Sequence, residues 1–255
     1  MLSPQALVRG LVRRALPSFN ADSADADVAL RLAAYGEQYT QPLVRKTHAL
    51  ADEGSFWVTN NAQTGIVPTY GTSFSATAPF ITIYNGNAVA RAYLDYAALV
   101  AIAAGASTTT AGYTAFAAVV DTTNRYSSGG SDLTANIINP NGAAAGGNGS
   151  GLTIKCGAIT ATAAVNARTI VGVRNLRPSV SATVINVVGD MNLLTFGAVE
   201  GATGSITIAN ANIMPQAMPP IIIGPGQTAL LYIWFPVMTA PSAATYAPEL
   251  GLWVR

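Results

Sequence analysis

The stretch that most limits what this chain can fold into is Pro219 to Pro236, PPIIIGPGQTALLYIWFP. Ile221, Ile222 and Ile223 form a short β-branched run, and Gly224-Pro225-Gly226 breaks it. Proline pre-sets φ at the first central position of a turn and glycine tolerates positive φ at the second, so Pro225-Gly226 reads as a type II turn. The second run, Thr228 to Phe235, alternates Leu230, Tyr232 and Trp234 with Ala229, Leu231, Ile233 and Phe235. Both sets are apolar, which predicts a central strand covered on both sides.

From Gly54 onward the same β texture repeats. Candidate strands are Phe56–Asn60, Phe80–Tyr84, Tyr113–Val120, Leu152–Ala161, Thr169–Val173, Thr183–Val188, Leu193–Phe196, Ser205–Ile208 and Leu250–Val254. Turn signals fall between them at Asn85-Gly86, Gly189-Asp190 and Gly201 to Gly204. Arg91 to Ala104 fits either period. Its alanines and the Arg91/Asp95 spacing suit a helix. As a strand it places Leu94, Tyr96, Ala98, Val100 and Ile102 on one apolar face, and strand is the reading taken. Asn139 to Gly151, NPNGAAAGGNGSG, reads as a flexible loop. Many short strands at this spacing predict an all-β, jelly-roll-like sandwich over residues 54–255. An immunoglobulin-like sandwich is the alternative, without its Cys–Trp–Cys pattern.

Residues 1–53 have a different texture and read as an N-terminal helical arm. Six of the thirteen basic and six of the twelve acidic residues lie there. Ser3-Pro4 is a helix start, and Leu7, Val8, Leu11, Val12 and Leu16 follow at helical spacing until Pro17. A second helix is expected from Ser23 to Tyr39, with Asp25 and Asp27 favourably placed at its N-terminal dipole. The readings for the arm are a docking element for a partner, a helical hairpin packed on its own domain, or a membrane-surface helix. The acidic second helix and the short first one disfavour the last.

The remaining composition narrows function mainly by exclusion. Half of the 255 residues are hydrophobic, 10% are charged, the net charge is +1 and mean hydropathy is +0.35. A typical domain is about 25% charged, so this surface suits coverage by other subunits. Near-zero net charge gives no broad footprint for nucleic acid or anionic membrane. No secretory pattern is present at the N-terminus, because the apolar stretches between its arginines are too short. The longest apolar run, Tyr96 to Ala106, is shorter than the ~18–20 residues that cross a bilayer.

Candidate chemistry is thin. Cys156 is the single cysteine and reads as a buried, inert thiol. His48 is the single histidine, which cannot build the multi-histidine metal site of a cupin-type enzyme. No serine sits in a G-x-S-x-G elbow, and the glycine-rich loop lacks G-K-[ST]. Asn148-Gly149-Ser150 matches a glycosylation acceptor, which has meaning only in a secreted chain. Asp95, Asp121, Asp132, Asp190, Glu200 and Glu249 are scattered, with no spacing that suggests paired carboxylates. Asp121 to Asp132, DTTNRYSSGGSD, offers calcium-type oxygen ligands without the EF-hand pattern and reads chiefly as an ordered turn. No catalytic, cofactor-binding or metal-ligating residues are expected. Tyr70 and Tyr126 are candidates for stacking on sugars if they lie on loops.

Asn124-Arg125-Tyr126-Ser127-Ser128-Gly129-Gly130, Asn139-Pro140-Asn141, and Gly224-Pro225-Gly226-Gln227 ahead of Leu230-Leu231-Tyr232 resemble motifs of small β-rich virion proteins of tailed bacteriophages. The resemblance runs over roughly residues 54–254. It implies a non-enzymatic, jelly-roll-like structural protein made in the bacterial host cytoplasm and built into the virion. Such a protein decorates the head or belongs to the tail or its adhesion apparatus, and carries no catalytic residues. The expected partners are other virion proteins and further copies of the chain, with a homotrimer favoured and neither nucleic acid nor membrane involved. A receptor- or carbohydrate-binding adhesin module of the tail is the alternative.

Overall fold

The computed structural model describes residues 46–59, 64–108, 111–142, 148–197, 206–208 and 211–255. The two expected arm helices, within Ser3 to Tyr39, and the Gly201 to Gly204 turn lie outside the described residues. The elements are α1 (Lys46–Asp52), β1 (Phe56–Thr59), β2 (Ile81–Asn85), β3 (Ala92–Ala106), β4 (Tyr113–Asp121), β5 (Tyr126–Asp132), β6 (Ile137–Ile138) and β7 (Leu152–Ala161). They continue with β8 (Arg168–Pro178), β9 (Met191–Phe196), β10 (Ile206–Ile208), β11 (Ala211–Met218), β12 (Ile221–Ile223), β13 (Thr228–Trp234) and β14 (Ser242–Val254).

The strands form an all-β sandwich. One sheet has the order β10-β11-β9-β3-β14-β1-β6, with β12 also paired to β3; the other runs β5-β7-β2-β13-β4-β8. The chain passes between the two sheets along β1 to β4 and again along β12 to β14, while β9 to β12 stay in the eight-stranded sheet. Pairing is antiparallel except between β9 and β11. Ile81, Ile83, Phe116, Leu231 and Ile233 from one sheet join Leu94, Leu99, Leu194, Leu250 and Leu252 from the other in a single core. The compact unit that holds the sandwich begins at Lys46, so α1, assigned to the arm by its charges, starts this unit and buries Leu50.

β13 carries the design. All seven of its residues are buried. Ala229, Leu231 and Ile233 face the core between the sheets, while Leu230, Tyr232 and Trp234 join Ala115, Ala117 and Val119 on the outer side. The irregular segment from Gly71 to Ala78 covers that outer side. It is fastened by Phe235 N–H to Gly71 O (2.8 Å) and by the Tyr232 hydroxyl to Ala76 O (3.0 Å). Ahead of β13, Gln227 N–H closes onto Gly224 O (3.1 Å), and Gly226 has φ +71°. That is the expected type II turn. β12 and β13 do not pair with each other: β12 adds to β3 and β13 lies between β2 and β4, so the turn lifts the chain from one sheet to the other.

Three departures from the sequence reading have local causes. First, β3 is a strand, but Leu94 does not share a face with Tyr96, Ala98 and Val100. Its pairing with β14 skips Asp95, because Leu94 opposes Leu252 and Tyr96 opposes Gly251. A bulge adds one residue and flips the side-chain alternation, so Leu94 enters the core and Tyr96 points out. Second, Thr183 to Val188 is not a strand. It runs beside β3 through single contacts, Ser107 N–H to Thr183 O and Asn186 N–H to Ala104 O. Ile185 is its buried anchor.

Third, Tyr126 to Asp132 is a strand rather than a turn. Its polar SSGGS residues hide the strand signal, and the glycines are what let it pair irregularly with β7. Gly129 has φ +80°, and a β-carbon there would run into Ala158 O. Gly129→Ala should therefore destabilise by about 1–3 kcal/mol, the range for a strained backbone site. Gly226, at a similar φ but with open space around it, should cost about 1–2 kcal/mol from left-handed strain alone. Urea melts of the two variants check the order, and a Gly129→Ala protein as stable as wild type would refute the bulge.

Candidate interaction surface

The polar residues that could have carried chemistry are used to brace loops. Asp121 and Arg125 are each 1% exposed. Arg125 Nη1 donates to Asp121 Oδ2 (2.8 Å), Nε to Thr162 O (2.7 Å) and Nη2 to Ala76 O (3.1 Å). Asp121 Oδ1 accepts from Thr122 N–H (2.7 Å) and Asn166 N–H (3.1 Å), and Oδ2 also accepts from Val165 N–H (3.1 Å). Burial pushes this carboxyl up, and the four donors more than reverse it, leaving it below the ordinary range. With four donors on two oxygens, the carboxylate has no free lone pair directed at a cation. Asp132 accepts from Lys155 Nζ (2.6 Å) and Thr134 N–H (2.9 Å); burial opposes these bonds, which bring it down to about 2. Asp190 is buried and paired with Arg177. Among the described residues no three His, Cys, Asp or Glu side chains cluster, and no helix is long and apolar enough to cross a membrane.

The other singled-out residues fall into place individually. His48 is exposed on α1. Cys156 is fully buried on β7, and burial pushes its thiol well up. Native protein should consume no thiol reagent at pH 8, and unfolded protein should consume one equivalent per chain. Labelling of the native protein at the unfolded rate would contradict that placement. The Asn148 side chain bridges its own turn, accepting from Ser150 N–H (3.0 Å) and donating to Leu152 O (2.8 Å). Tyr70 packs on Phe235 and donates to Ala244 O (2.7 Å). Tyr126 donates to Gly129 O (3.1 Å), and Lys155 Nζ lies 5.5 Å from its ring centre. Beside Trp234, Phe74 stands over Tyr232 and Trp234 at 4.9 and 5.4 Å, above a cleft of about 30 Å³. That volume holds a water or two.

What remains is the outward face of the eight-stranded sheet. Residues paired across neighbouring strands share a face, and the core rows Leu250–Ala97–Leu194 and Leu252–Leu94–Ile221 identify the inner one. Four rows lie on the opposite face. At one end, Phe56, Trp253, Tyr93 and Ile222 cross β1, β14, β3 and β12. Tyr93 and Trp253 stack at 3.7 Å and 4°, and Ile222 is 46% exposed. Next come Val58, Gly251, Tyr96, Thr195 and Ala217. Tyr96 covers Gly251 so closely that a β-carbon there would strike its ring. Then follow Glu249, Ala98, Leu193 and Pro215, and last Ala247, Val100, Met191 and Ile213.

Glu249 is the one charged residue in these four rows. The Tyr96 hydroxyl donates to its Oε1 (2.7 Å). Burial, then the hydrogen bond and charge of Glu249, and last the charge of Asp95 at the bulge, push that hydroxyl up, so it stays a neutral donor at any working pH. A sheet face normally alternates apolar inside with polar outside. Here both sides are apolar, the signal already visible in the Tyr96, Ala98 and Val100 alternation. The sequence alone did not place Trp253, Tyr93 and Leu193 on one face, because register across β14, β3 and β9 decides it. Comparison with protein-family models, with curated proteins and with solved structures gives no match.

Proposed function

We propose that this chain is a non-enzymatic structural component of a bacteriophage virion, a head decoration or a head- or tail-associated protein, that assembles with itself and with neighbouring virion proteins. The observation that carries the reading is the two-sided apolar character of the eight-stranded sheet. Its outward rows hold one carboxylate, Glu249, with Asp95 beside Tyr96 at the bulge, while the buried acids Asp121 and Asp190 are tied to arginines. Apolar surface that water would otherwise meet is the usual mark of a protein interface. The motifs that resemble virion proteins support it as structural turns. Arg125 locks two loops, the Asn139 side chain donates to Gly54 O (2.7 Å), and the Gln227 side chain accepts from Gly224 N–H (2.8 Å).

The test is the composition of particles. Mass spectrometry of density-purified virions from the source should find the 26.1 kDa chain in many copies per particle. Its absence from particles, with the chain left in the soluble fraction, would defeat the virion reading. Deleting residues 1–20 from a chain that attaches to particles lacking the native protein should abolish attachment if the arm docks it. An adhesin module is the second reading. Its two candidate rings already have contacts, Tyr70 with Phe235 and Tyr126 with Lys155 Nζ.

A further inference from the structure

We infer that Asn141-Gly142 is a site of spontaneous deamidation, and that conversion of Asn141 loosens the anchor that holds α1 on the sandwich. The sequence holds three Asn-Gly pairs, at Asn85, Asn141 and Asn148. At such a pair the backbone nitrogen of the glycine attacks the Asn Cγ, unhindered because glycine has no β-carbon. A ring closes through the new bond from that nitrogen to Cγ. The Cγ–Nδ2 bond breaks, and Nδ2 leaves as ammonia with the proton from the glycine N–H. Water then opens the ring at either carbonyl and leaves aspartate or isoaspartate, with no redox step. The side chain must first swing its Cγ onto the following nitrogen, so the reaction goes where the amide can turn into that geometry.

The fold separates the three pairs. Asn85 is fully buried. Its Nδ2 donates to Ala90 O and Ile223 O (both 2.9 Å), and its Oδ1 accepts from Asn87 N–H (3.0 Å). Gly86 N–H, which carries the attacking nitrogen, is spent on Gly151 O (3.0 Å). Asn148 donates from Nδ2 to Leu152 O (2.8 Å) and accepts at Oδ1 from Ser150 N–H (3.0 Å). Gly149 sits against Trp57, where a β-carbon would come within 3.0 Å of Cη2. At the third pair Asn141 is half-buried and Gly142 is exposed, with open space where its β-carbon would be. The Asn141 amide donates to Asp52 O at the surface over 3.2 Å, the longest side-chain amide donation of the three pairs.

That bond gives the site its consequence. α1 ends in a left-handed glycine cap: Gly54 has φ +78°, Ser55 N–H reaches Leu50 O (2.9 Å) and Gly54 N–H reaches Ala51 O (3.0 Å). Asn141 supplies a donor for Asp52 O. Asn139, which itself accepts from Asn141 N–H (2.8 Å), supplies one for Gly54 O (2.7 Å). Deamidation replaces the Nδ2 donor with a carboxylate. Two acceptors then face each other, and a negative charge stands at the negative end of α1. The isoaspartate product also lengthens the backbone within the same turn.

The purified full-length chain, held in warm, alkaline buffer, tests this. Peptide mapping by mass spectrometry reads the amide-to-acid mass gain at each Asn. Asn141 should convert at least about tenfold faster than Asn85 or Asn148, a ratio that corresponds to about 1.4 kcal/mol of barrier. In urea all three should convert at similar rates, because the fold makes the choice. Gly142→Ala fits the open space, puts a methyl beside the attacking nitrogen, and should slow Asn141 by a similar factor. Protection of Cys156 from thiol reagents reports that each protein is folded. Hydrogen exchange across Lys46–Asp52 should quicken in the aged wild type and in Asn141→Asp, and stay at the fresh rate in aged Gly142→Ala. An intact Asn141, conversion of Asn85 or Asn148 at its rate, or the same lead for Asn141 in urea would overturn the site. Unchanged exchange in both Asn141→Asp and the aged chain would overturn the loosening.

Discussion

Asp121→Ala should lower stability by about 3–5 kcal/mol, the usual cost of removing one member of a buried ion pair. It leaves the Arg125 guanidinium 1% exposed without its counter-charge, and it strips the acceptor from the N–H groups of Thr122, Val165 and Asn166. For a chain of this size that corresponds to roughly 6–20 °C in Tm, measurable by calorimetry. Asp121→Asn is the sharper comparison. It keeps the volume but replaces one acceptor oxygen with an NH₂ that faces N–H donors, so it should fall close to alanine. If Asn restored wild-type stability, packing rather than acceptor count would explain the site.

The same carboxylate gives a pH dependence with a definite sign. Its folded-state pKa lies below its unfolded value. The stabilisation is complete above the unfolded value of about 3.9 and is lost as pH falls through it toward the folded value. Asp132, brought down to about 2, adds in the same direction, though its 57% side-chain exposure leaves only a small screened contribution. Wild-type Tm should therefore fall between about pH 4 and pH 2, and Asp121→Ala should show a shallower decline. Parallel declines in the two proteins would count against the assignment.

Trp234→Ala should cost about 3–5 kcal/mol, as large-to-small changes at buried aromatic positions do. Trp234 is 6% exposed in the middle of the six-stranded sheet. It lies on the outer side, under Phe74, and that cover decides where in the range the result falls. If the segment from Gly71 to Ala78 collapses onto the vacated space, the loss approaches 3 kcal/mol; if Tyr232 and Ala76 hold it in place, the cavity persists and the loss is larger. Phe74→Ala alone should cost about 1 kcal/mol because Phe74 is already 46% exposed. The two substitutions should not add, since they share one contact. Limited proteolysis within residues 71–78, faster in Trp234→Ala than in wild type, reads the same loosening. A Trp234→Ala protein with an unchanged Tm would remove β13 from the centre of the sheet.

How much of this was legible in the sequence depends on the range over which each feature is encoded. The all-β class, the turn at Pro225-Gly226 and the two-sided burial of β13 follow from period-two alternation and from the backbone limits of proline and glycine. Those are properties of neighbouring residues, so the chain states them by itself. Leu152–Ala161 was readable to the residue for the same reason. β5 and β11 were not, because glycines in one and Pro215 in the other erase the local signal, and pairing with β7 and β9 supplies what propensity lacks.

The bulge at Asp95 lies beyond any local rule. Only opposition to Leu252 and Gly251, more than 150 residues away, sends Leu94 into the core and Tyr96 outward. The buried Arg125, and the row that joins Phe56, Trp253, Tyr93 and Ile222, are likewise products of register and of loop closure over long separations. The amino-acid sequence by itself determined which segments must be buried, since burial follows from side-chain chemistry. Tertiary structure decided which face each residue occupies, because in a sheet one inserted residue exchanges inside for outside.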